Sequence, residues 1–481
     1  MEMTHGDLPR EELISQGRAI LDWIATYLEH PERYPVLSTV KPGDIRASLP
    51  AAPPGTGETL ETILQDFETK ILPGITHWNH PAFFGYFATS SSIPGILAEM
   101  LIAALDVKAM LWKTSPAATE LEEVATDWLR QMLGLRDGWF GITTDTASIS
   151  SMLALAAARE SRPELEIRER GMAGRTDLPR LRVYASKHVH SSVDKAALAL
   201  GIGLENVVKI ADDDQFRMRP DALAAAVAAD RAQGYLPLAC VATVGTTSTS
   251  SIDPVPAIAE ICRRENLWLH VDGAYGGTLA VVPEFRYVLD GVEGADSLVV
   301  NPHKWLFTPF DCSAFFIKRP EVLKRAFSLV PEYLVTREQH EVVNYMDYGV
   351  QLGRRFRALK LWMVIRAFGA DGLAERLRQH CALAKEFAGW VESSGDWELM
   401  APVPFALVCF RYAPNGMSDT ERDRRNEQIM HAVNDGGEVF LSHTKLHDRF
   451  TLRLSVGNIR TEKKHLALAW EKLQEAARVS S

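Results

Sequence analysis

Apolar residues recur at helical spacing near the start of the chain, at Leu13, Ile20, Leu21, Ile24 and Leu28, and again at Leu60, Ile63, Leu64, Phe67 and Ile71. A tether carrying Pro31, Pro35, Pro42, Pro50, Pro53 and Pro54 separates the two stretches. Two amphipathic helices on such a tether cannot build a core alone, so they must lie on another surface, and a partner subunit is one. Further on, the pattern alternates. Strands are expected at Leu181–Ala185, Leu236–Val244, Leu267–Asp272 and Leu298–Val300, helices at Val189–Leu200 and Pro256–Glu265, and one more strand at Phe315–Lys318. That order predicts a mostly parallel central sheet with helices on both faces.

The stretch from Ser328 to Gln351 shows no period and carries Tyr333, Tyr345 and Tyr348. A loop this long inside a compact enzyme is usually functional or mobile. Helices follow from about Arg354 to Phe368, stopped by Gly369, and from Leu373 to about Val391. The remainder reads as a small α/β domain: a strand at Pro404–Tyr412, a helix opened by the capping box Ser418-Asp-Thr-Glu421, strands near Val439–Ser442 and Phe450–Ser455, and a closing helix through Leu466, Trp470 and Leu473. The expected organisation is an N-terminal helical segment over 1–88, a large domain over 89–366 and a small domain over 367–481.

At 481 residues the chain exceeds what one core supports, which agrees with several units. A formal net charge of −10 argues against nucleic-acid or anionic-membrane surfaces. The five cysteines are scattered, without metal spacing, and predict reduced core thiols and no metal site. Neither a signal-like apolar stretch at the N-terminus nor a long uncharged span occurs, so a cytoplasmic protein without membrane contact is expected.

Candidate chemistry gathers where strands end. Asn301-Pro-His-Lys-Trp305 leaves the apolar run Ser297–Val300, and Asp272 closes the strand before Gly273-Ala-Tyr-Gly-Gly277. Ligands bind in open α/β sheets outside the carboxyl ends of strands. An amine at Lys304 and a carboxylate at Asp272 suit pyridoxal phosphate, which needs a lysine for its Schiff base and an acid beside its ring nitrogen. Taken singly, either residue is more simply a surface lysine or a strand cap; together they carry weight.

His190 lies shortly past the strand through Ala185, where its imidazole could lie flat on a cofactor ring. Ala274 is small enough to sit beneath that ring, and Thr246, Thr247 and Asn301 add polar groups at the same edge. Gly141-Ile-Thr-Thr-Asp-Thr-Ala-Ser148 opens a helix whose first amides could attract a phosphate, although an ordinary helix cap explains this segment alone. The aromatic run His80-Pro-Ala-Phe-Phe-Gly-Tyr-Phe-Ala-Thr89 is either core or pocket wall.

These motifs resemble those of the group II pyridoxal-phosphate decarboxylases, closest to the aromatic-L-amino-acid decarboxylases. The resemblance covers nearly the whole chain, through His80-Pro-Ala-Phe-Phe84, Ser115-Pro-Ala-Ala-Thr-Glu-Leu-Glu122, His190-Ser-Ser-Val193, His270-Val-Asp-Gly-Ala-Tyr275, Asn301-Pro-His-Lys-Trp305, Phe310-Asp-Cys-Ser313 and Leu352-Gly-Arg-Arg-Phe-Arg357. It implies the fold type I (aspartate aminotransferase-like) architecture and a homodimer with the active site at the subunit interface.

By that resemblance Lys304 carries pyridoxal 5'-phosphate, Asp272 pairs with the ring nitrogen, and His190 stacks on the ring. Ala147, Ser148, Thr247, Ala274, Asn301 and His303 complete the cofactor site. Tyr333 returns a proton to the substrate carbon. Trp78, Tyr86, Phe87, Thr89, Met110 and Gly353 form the substrate site, with Trp78, Phe83, Tyr86 and Phe87 favouring an aromatic side chain and Gly353 leaving room for a catechol or indole. The implied reaction is decarboxylation of an aromatic L-amino acid of the DOPA, tryptophan, 5-hydroxytryptophan, tyrosine or phenylalanine type to its arylalkylamine. Loss of the loop tyrosine or stacking histidine diverts some family members to aldehyde synthesis, and both residues are present here. Ala88, Asp145 and Ile149 depart from the animal pattern, and Lys108 is read as solvated rather than as a substrate contact. An aminotransferase using Arg453 as a carboxylate clamp, and a catalytically silent scaffold, are the readings from other classes.

Overall fold

The computed structural model describes residues 7–329, 334–338 and 340–479. The chain divides into two compact units: Thr89–Trp390 with Leu399–Cys409, and Met1–Ala88 with Val391–Glu398 and Phe410–Ser481.

The larger unit is built on seven strands: β1 (Phe140–Thr144), β2 (Leu181–Ser186), β3 (Val207–Ile210), β4 (Leu236–Thr243), β5 (Trp268–Asp272), β6 (Ser297–Val300) and β7 (Ser313–Ile317). Their order in the sheet is β1-β7-β6-β5-β4-β2-β3. The β2–β3, β2–β4, β4–β5 and β5–β6 pairs are parallel, and β7 alone runs antiparallel, between β1 and β6. All residues of β5, β6 and β7 are buried, as expected of strands covered on both faces. The mostly parallel sheet is as the sequence predicted, and Phe315–Ile317 does add the last strand.

Two strands of this sheet were not anticipated, β1 and β3. The helix Ala147–Glu160 after β1 buries Ser150, Ser151 and the alanines at 154 and 156–158, and these small side chains let it lie close on the sheet. A long helix, Arg357–Ser393, is broken at Gly369, whose φ of 68° lies in the left-handed region that glycine enters without strain. Helix Val255–Glu265 shows the amphipathic pattern expected of it, burying Val255, Ile258, Ala259, Ile261 and Cys262.

In the other unit, helix Arg10–Glu29 buries only Leu28, and Leu13 and Ile63 remain 73% and 47% exposed. Trp23 of this helix meets Phe67 edge-on at 5.4 Å beside a cavity of about 690 Å³ lined by Ile20, Ile24 and Leu64. The tether after it is stitched to the C-terminal part of the same unit. Val36 N–H donates to Gly437 O at 2.7 Å, Phe84 N–H to Phe440 O at 2.9 Å, and Ser455 N–H to Phe84 O at 3.0 Å. That C-terminal part contributes to a four-stranded sheet of β8 (Trp397–Leu399), β9 (Leu407–Tyr412), β10 (Ser442–Leu446) and β11 (Arg449–Ser455), in the order β10-β11-β9-β8. Helix Asp419–Asp435 opens with the predicted capping box, Ser418 and Glu421 each bonding the other's backbone amide.

Candidate active site

The carboxyl ends of the parallel strands share one edge of the large sheet, where β4 and β5 end in register at Thr243 and Asp272. Asp272 is buried, and its Oδ1 accepts the Ala274 amide at 3.1 Å, which orients the carboxylate across the turn. Beyond β6, Asn301 N–H donates to Ala274 O at 3.1 Å, joining the two turns. Lys304 then stands in the four-residue helix Pro302–Trp305.

Its neighbours lock that helix from both sides. His303 Nδ1 accepts the Cys312 amide at 2.9 Å while His303 N–H donates to Cys312 O at 3.1 Å. Trp305 is fully buried, stacks on Tyr275 at 4.6 Å and donates its indole N–H to His380 at 3.0 Å. Lys304 is therefore held between two immobilised rings, and Tyr275 ties it to the turn that Asp272 opens.

Electrostatics bring Lys304, Asp272 and His190 into one field. Burial lowers the Lys304 ammonium's pKa, and the Asp272 carboxylate opposes that shift. The His190 residue is exposed at its turn, yet its imidazole is also held below its usual value, by partial desolvation first and then by Lys304, with Asp272 pulling the other way. His303 is driven down to about 3 by burial and by the adjacent lysine charge. A neutral His190 accepts the Ser192 amide at Nδ1, 3.1 Å away, so Nε2 carries the ring proton. Such an imidazole is fixed in its tautomer.

Ala147 and Ser148 are the first two residues of helix Ala147–Glu160, whose opening amides have no intrahelical acceptor. Ala147 is buried and Ser148 exposed. The Asn301 side-chain oxygen accepts the Ser313 hydroxyl at 2.6 Å, and the chain of hydroxyls continues from Ser313 to Ser150 and Thr144. This network reaches helix Ala147–Glu160 from the lysine turn, and no sequence pattern announced it. Thr246 does not supply a polar group to the edge as expected: it is buried, and its hydroxyl bonds Thr249 and the Ser251 amide to build the turn. Thr247 is the exposed member of the pair.

Of the substrate candidates, Met110 packs on Leu111, Leu334 and Met346, Thr89 is half-buried, and Gly353 is exposed with no heavy atom within 4 Å of where a Cβ would stand. Lys108 is ion-paired with Asp106 and largely solvated, as expected of it. Trp78, Tyr86 and Phe87 belong to the other unit. There Trp78 and Tyr86 stack at 5.6 Å with both rings partly exposed, over Phe83, which is core. Phe87 is buried beneath Arg453, whose guanidinium bonds Ser442 Oγ at 3.0 Å. Tyr333 lies outside the described residues.

A parallel sheet with a half-buried lysine after one strand, a carboxylate ending its neighbour and an imidazole sharing their field defines a pyridoxal-phosphate enzyme of fold type I. The donor set fits that cofactor: a depressed amine, an oriented carboxylate, a small buried Ala274 and a helix N-terminus for the phosphate. Residues 42–413 match the family model described as the pyridoxal-dependent decarboxylase conserved domain. The chain belongs to the pyridoxal-dependent decarboxylase family and is a carboxy-lyase. It is 41% identical over 484 residues to tyrosine decarboxylase 3 of Petroselinum crispum, covering 98% of this chain and 92% of that one. It is 40% identical over 477 residues to phenylacetaldehyde synthase of Arabidopsis thaliana, covering 97% and 96%. The crystal structure of Oryza sativa TDC with PLP and tryptamine superposes with a TM-score of 0.94 at 35% identity, covering 98% of this chain and 99% of that one. Among the described residues no helix is long and apolar enough to cross a membrane, and no cluster of His, Cys, Asp or Glu could hold a metal ion.

Proposed function

We propose that the protein decarboxylates aromatic L-amino acids to the corresponding arylalkylamines, releasing carbon dioxide and placing a proton where the carboxylate stood. The observation that carries this reading is the shared field of Lys304, Asp272 and His190 at one sheet edge. Bound pyridoxal phosphate supplies an electron sink for the bond being broken. Lys304 anchors it through Nζ, Asp272 holds the proton on its ring nitrogen, and His190 covers its face. The Ala147 and Ser148 amides, with Thr247 and Asn301, hold the phosphate end, and His303 packs beside the lysine. Tyr333 delivers the proton to Cα while the closed site excludes water.

Trp78, Tyr86, Phe87, Thr89, Met110 and Gly353 receive the substrate side chain. The stacked, partly exposed Trp78–Tyr86 pair supports an aromatic substrate, as do relatives whose names carry tyrosine. The protein works as a cytoplasmic homodimer with its site at the subunit interface, the N-terminal helices wrapping the partner. The apolar surface left bare on helix Arg10–Glu29 supports that assembly.

Aldehyde synthesis is the second reading, favoured by the nearly equal identity to a phenylacetaldehyde synthase. The deciding experiment incubates the cofactor-loaded protein with L-DOPA, L-tyrosine, L-tryptophan, 5-hydroxytryptophan, L-phenylalanine and L-histidine and records carbon dioxide, amine, aldehyde and peroxide together. Amine equal to carbon dioxide on aromatic substrates supports the proposal. Aldehyde with matching peroxide supports the second reading, and keto acid without carbon dioxide sinks both.

A further inference from the structure

His190 is only as well placed as the turn that carries it. That turn, 187–191, joins the end of β2 to helix Ser192–Ala199 and exposes Lys187, His190 and Ser191. Both residues that open it reach one carboxylate. Lys187 Nζ bonds Asp212 Oδ1 at 2.6 Å and His188 Nε2 bonds Asp212 Oδ2 at 2.7 Å. His188 is further fixed by its own amide, which donates to Ser186 Oγ at 3.1 Å, and by the Phe216 ring, which meets the imidazole edge-on at 5.5 Å.

Asp212 is itself braced. It lies just past β3, which pairs with β2, and forms an antiparallel bridge with Met218. The Met218 amide donates to Asp253 Oδ1 at 2.7 Å, and Asp253 Oδ2 accepts the Thr243 amide at 2.8 Å. Thr243 is the residue in register with Asp272. A continuous strut thus runs from the His190 turn to the strand beside the cofactor carboxylate. Burial pushes the Asp212 carboxyl up, but the hydrogen bonds from Lys187 and His188 bring it down to about 2, so it stays a charged acceptor.

We infer that His188 and Asp212 are positioning residues that hold His190 flat over the cofactor face and thereby keep the product an amine. The inference rests on the decarboxylase reading above. Lys187 is exposed and still pairs Asp212 when His188 is replaced, so that substitution falls on the geometry of the turn more than on folding. A tilted imidazole uncovers the face from which dioxygen reaches the reacting carbon. In the uncovered enzyme, once carbon dioxide has left, dioxygen takes two electrons and two protons from the substrate's carbon–nitrogen bond to become hydrogen peroxide, and water hydrolyses the resulting imine, supplying the aldehyde oxygen as ammonia leaves.

The test uses the full-length holoenzyme and the variants Asp212→Asn, His188→Ala and His188→Gln. Two quantities are read: aldehyde and peroxide as a fraction of carbon dioxide, and the visible circular dichroism of bound cofactor. Asp212→Asn and His188→Ala should raise the aldehyde fraction several-fold and alter the dichroic band while the urea midpoint stays near wild type. His188→Gln, which keeps a donor toward Asp212, should return both towards wild type. Unchanged partition and dichroism in all three overturn the clamp, and so does the same shift in a core variant far from the turn, Leu466→Ala. A wild type that binds cofactor but releases no carbon dioxide fails the functional reading instead. The dichroic band then decides the clamp alone: altered, it supports it; unchanged, it overturns it.

Discussion

Arg354 Nη2 meets Glu122 Oε1 at 2.6 Å and Nη1 meets Oε2 at 3.1 Å, with both side chains buried. The same guanidinium donates to Thr143 O at 2.7 Å and Ala109 O at 3.1 Å and lies 4.6 Å over the Tyr345 ring. Glu122 in turn accepts the Thr143 amide at 2.7 Å. One buried pair therefore joins the segment that carries Met110, the strand that leads to Ala147, and the residue next to Gly353.

Removing one partner of such a pair strands a charge in the interior, which costs about 3–5 kcal/mol. Arg354→Met should lose stability on that scale in urea denaturation, and Glu122→Gln added to it should recover part of the loss by deleting the stranded carboxylate. An Arg354→Met protein within about 1 kcal/mol of wild type would mean that water or another cation compensates Glu122.

The depressed Lys304 ammonium sets a second expectation. Only the neutral amine attacks an aldehyde, so the rate at which apoprotein takes up pyridoxal phosphate should rise with pH and level off below the range of an ordinary lysine. Asp272 opposes the depression, so Asp272→Asn should move the inflection further down in pH. Stopped-flow absorbance across a pH series checks the sign. An upward move would show that Asp272 does not face the amine. Lys304→Ala should abolish the borohydride-fixable band altogether.

His270, two residues before Asp272 on β5, is completely buried. Its Nδ1 bonds Ser297 Oγ at 3.0 Å, and its Nε2 has no hydrogen-bond partner among the described residues. Burial lowers its pKa from 6.5 to about 4, Asp272 opposing. The unfolded chain therefore takes up the proton first as pH falls, and stability is lost from about pH 6.5 down to about 4, by about 3 kcal/mol over the whole window. Asp253, raised to about 6 by burial, works in the opposite direction and offsets part of the slope. Denaturant midpoints at the two ends of that window should differ less in His270→Gln than in wild type. Equal differences would remove His270 as a source of acid sensitivity.

What the sequence disclosed follows from which signals are local. Apolar runs gave β4 to β7, and Gly369 and Ser418 marked a helix break and a helix start because backbone conformation and capping are properties of a few adjacent residues. β1 escaped because Phe140-Gly-Ile-Thr-Thr144 alternates weakly and ends in hydroxyls, and β3 because it has only four residues, one of them Lys209. Lys304 and Asp272 were legible as residues that stand at or just past strand ends. The Glu122–Arg354 pair was not, being 232 residues apart with no pattern to connect its members. Asp212 likewise gives no sign of its partners until β3 is seen beside β2. Thr246 and Thr247 are chemically identical in sequence, and only the turn shows that one is spent on structure.

Gly353 offers the most direct probe of substrate choice. Its site is exposed, its backbone is not in the left-handed region, and a Cβ there touches nothing within 4 Å. Gly353→Ser should therefore fold as wild type, within about 0.5 kcal/mol, as surface substitutions do. If Gly353 lies in the substrate pocket, the added hydroxymethyl group takes volume that an indole needs and a phenol does not. A change of this size in a pocket is worth about 1–3 kcal/mol of discrimination. The ratio of kcat/KM for L-tryptophan to that for L-tyrosine should fall by about tenfold or more. The loss should appear in competition assays with both amino acids present, where differences in enzyme loading cancel. An unchanged ratio with both substrates turned over would place Gly353 outside the pocket.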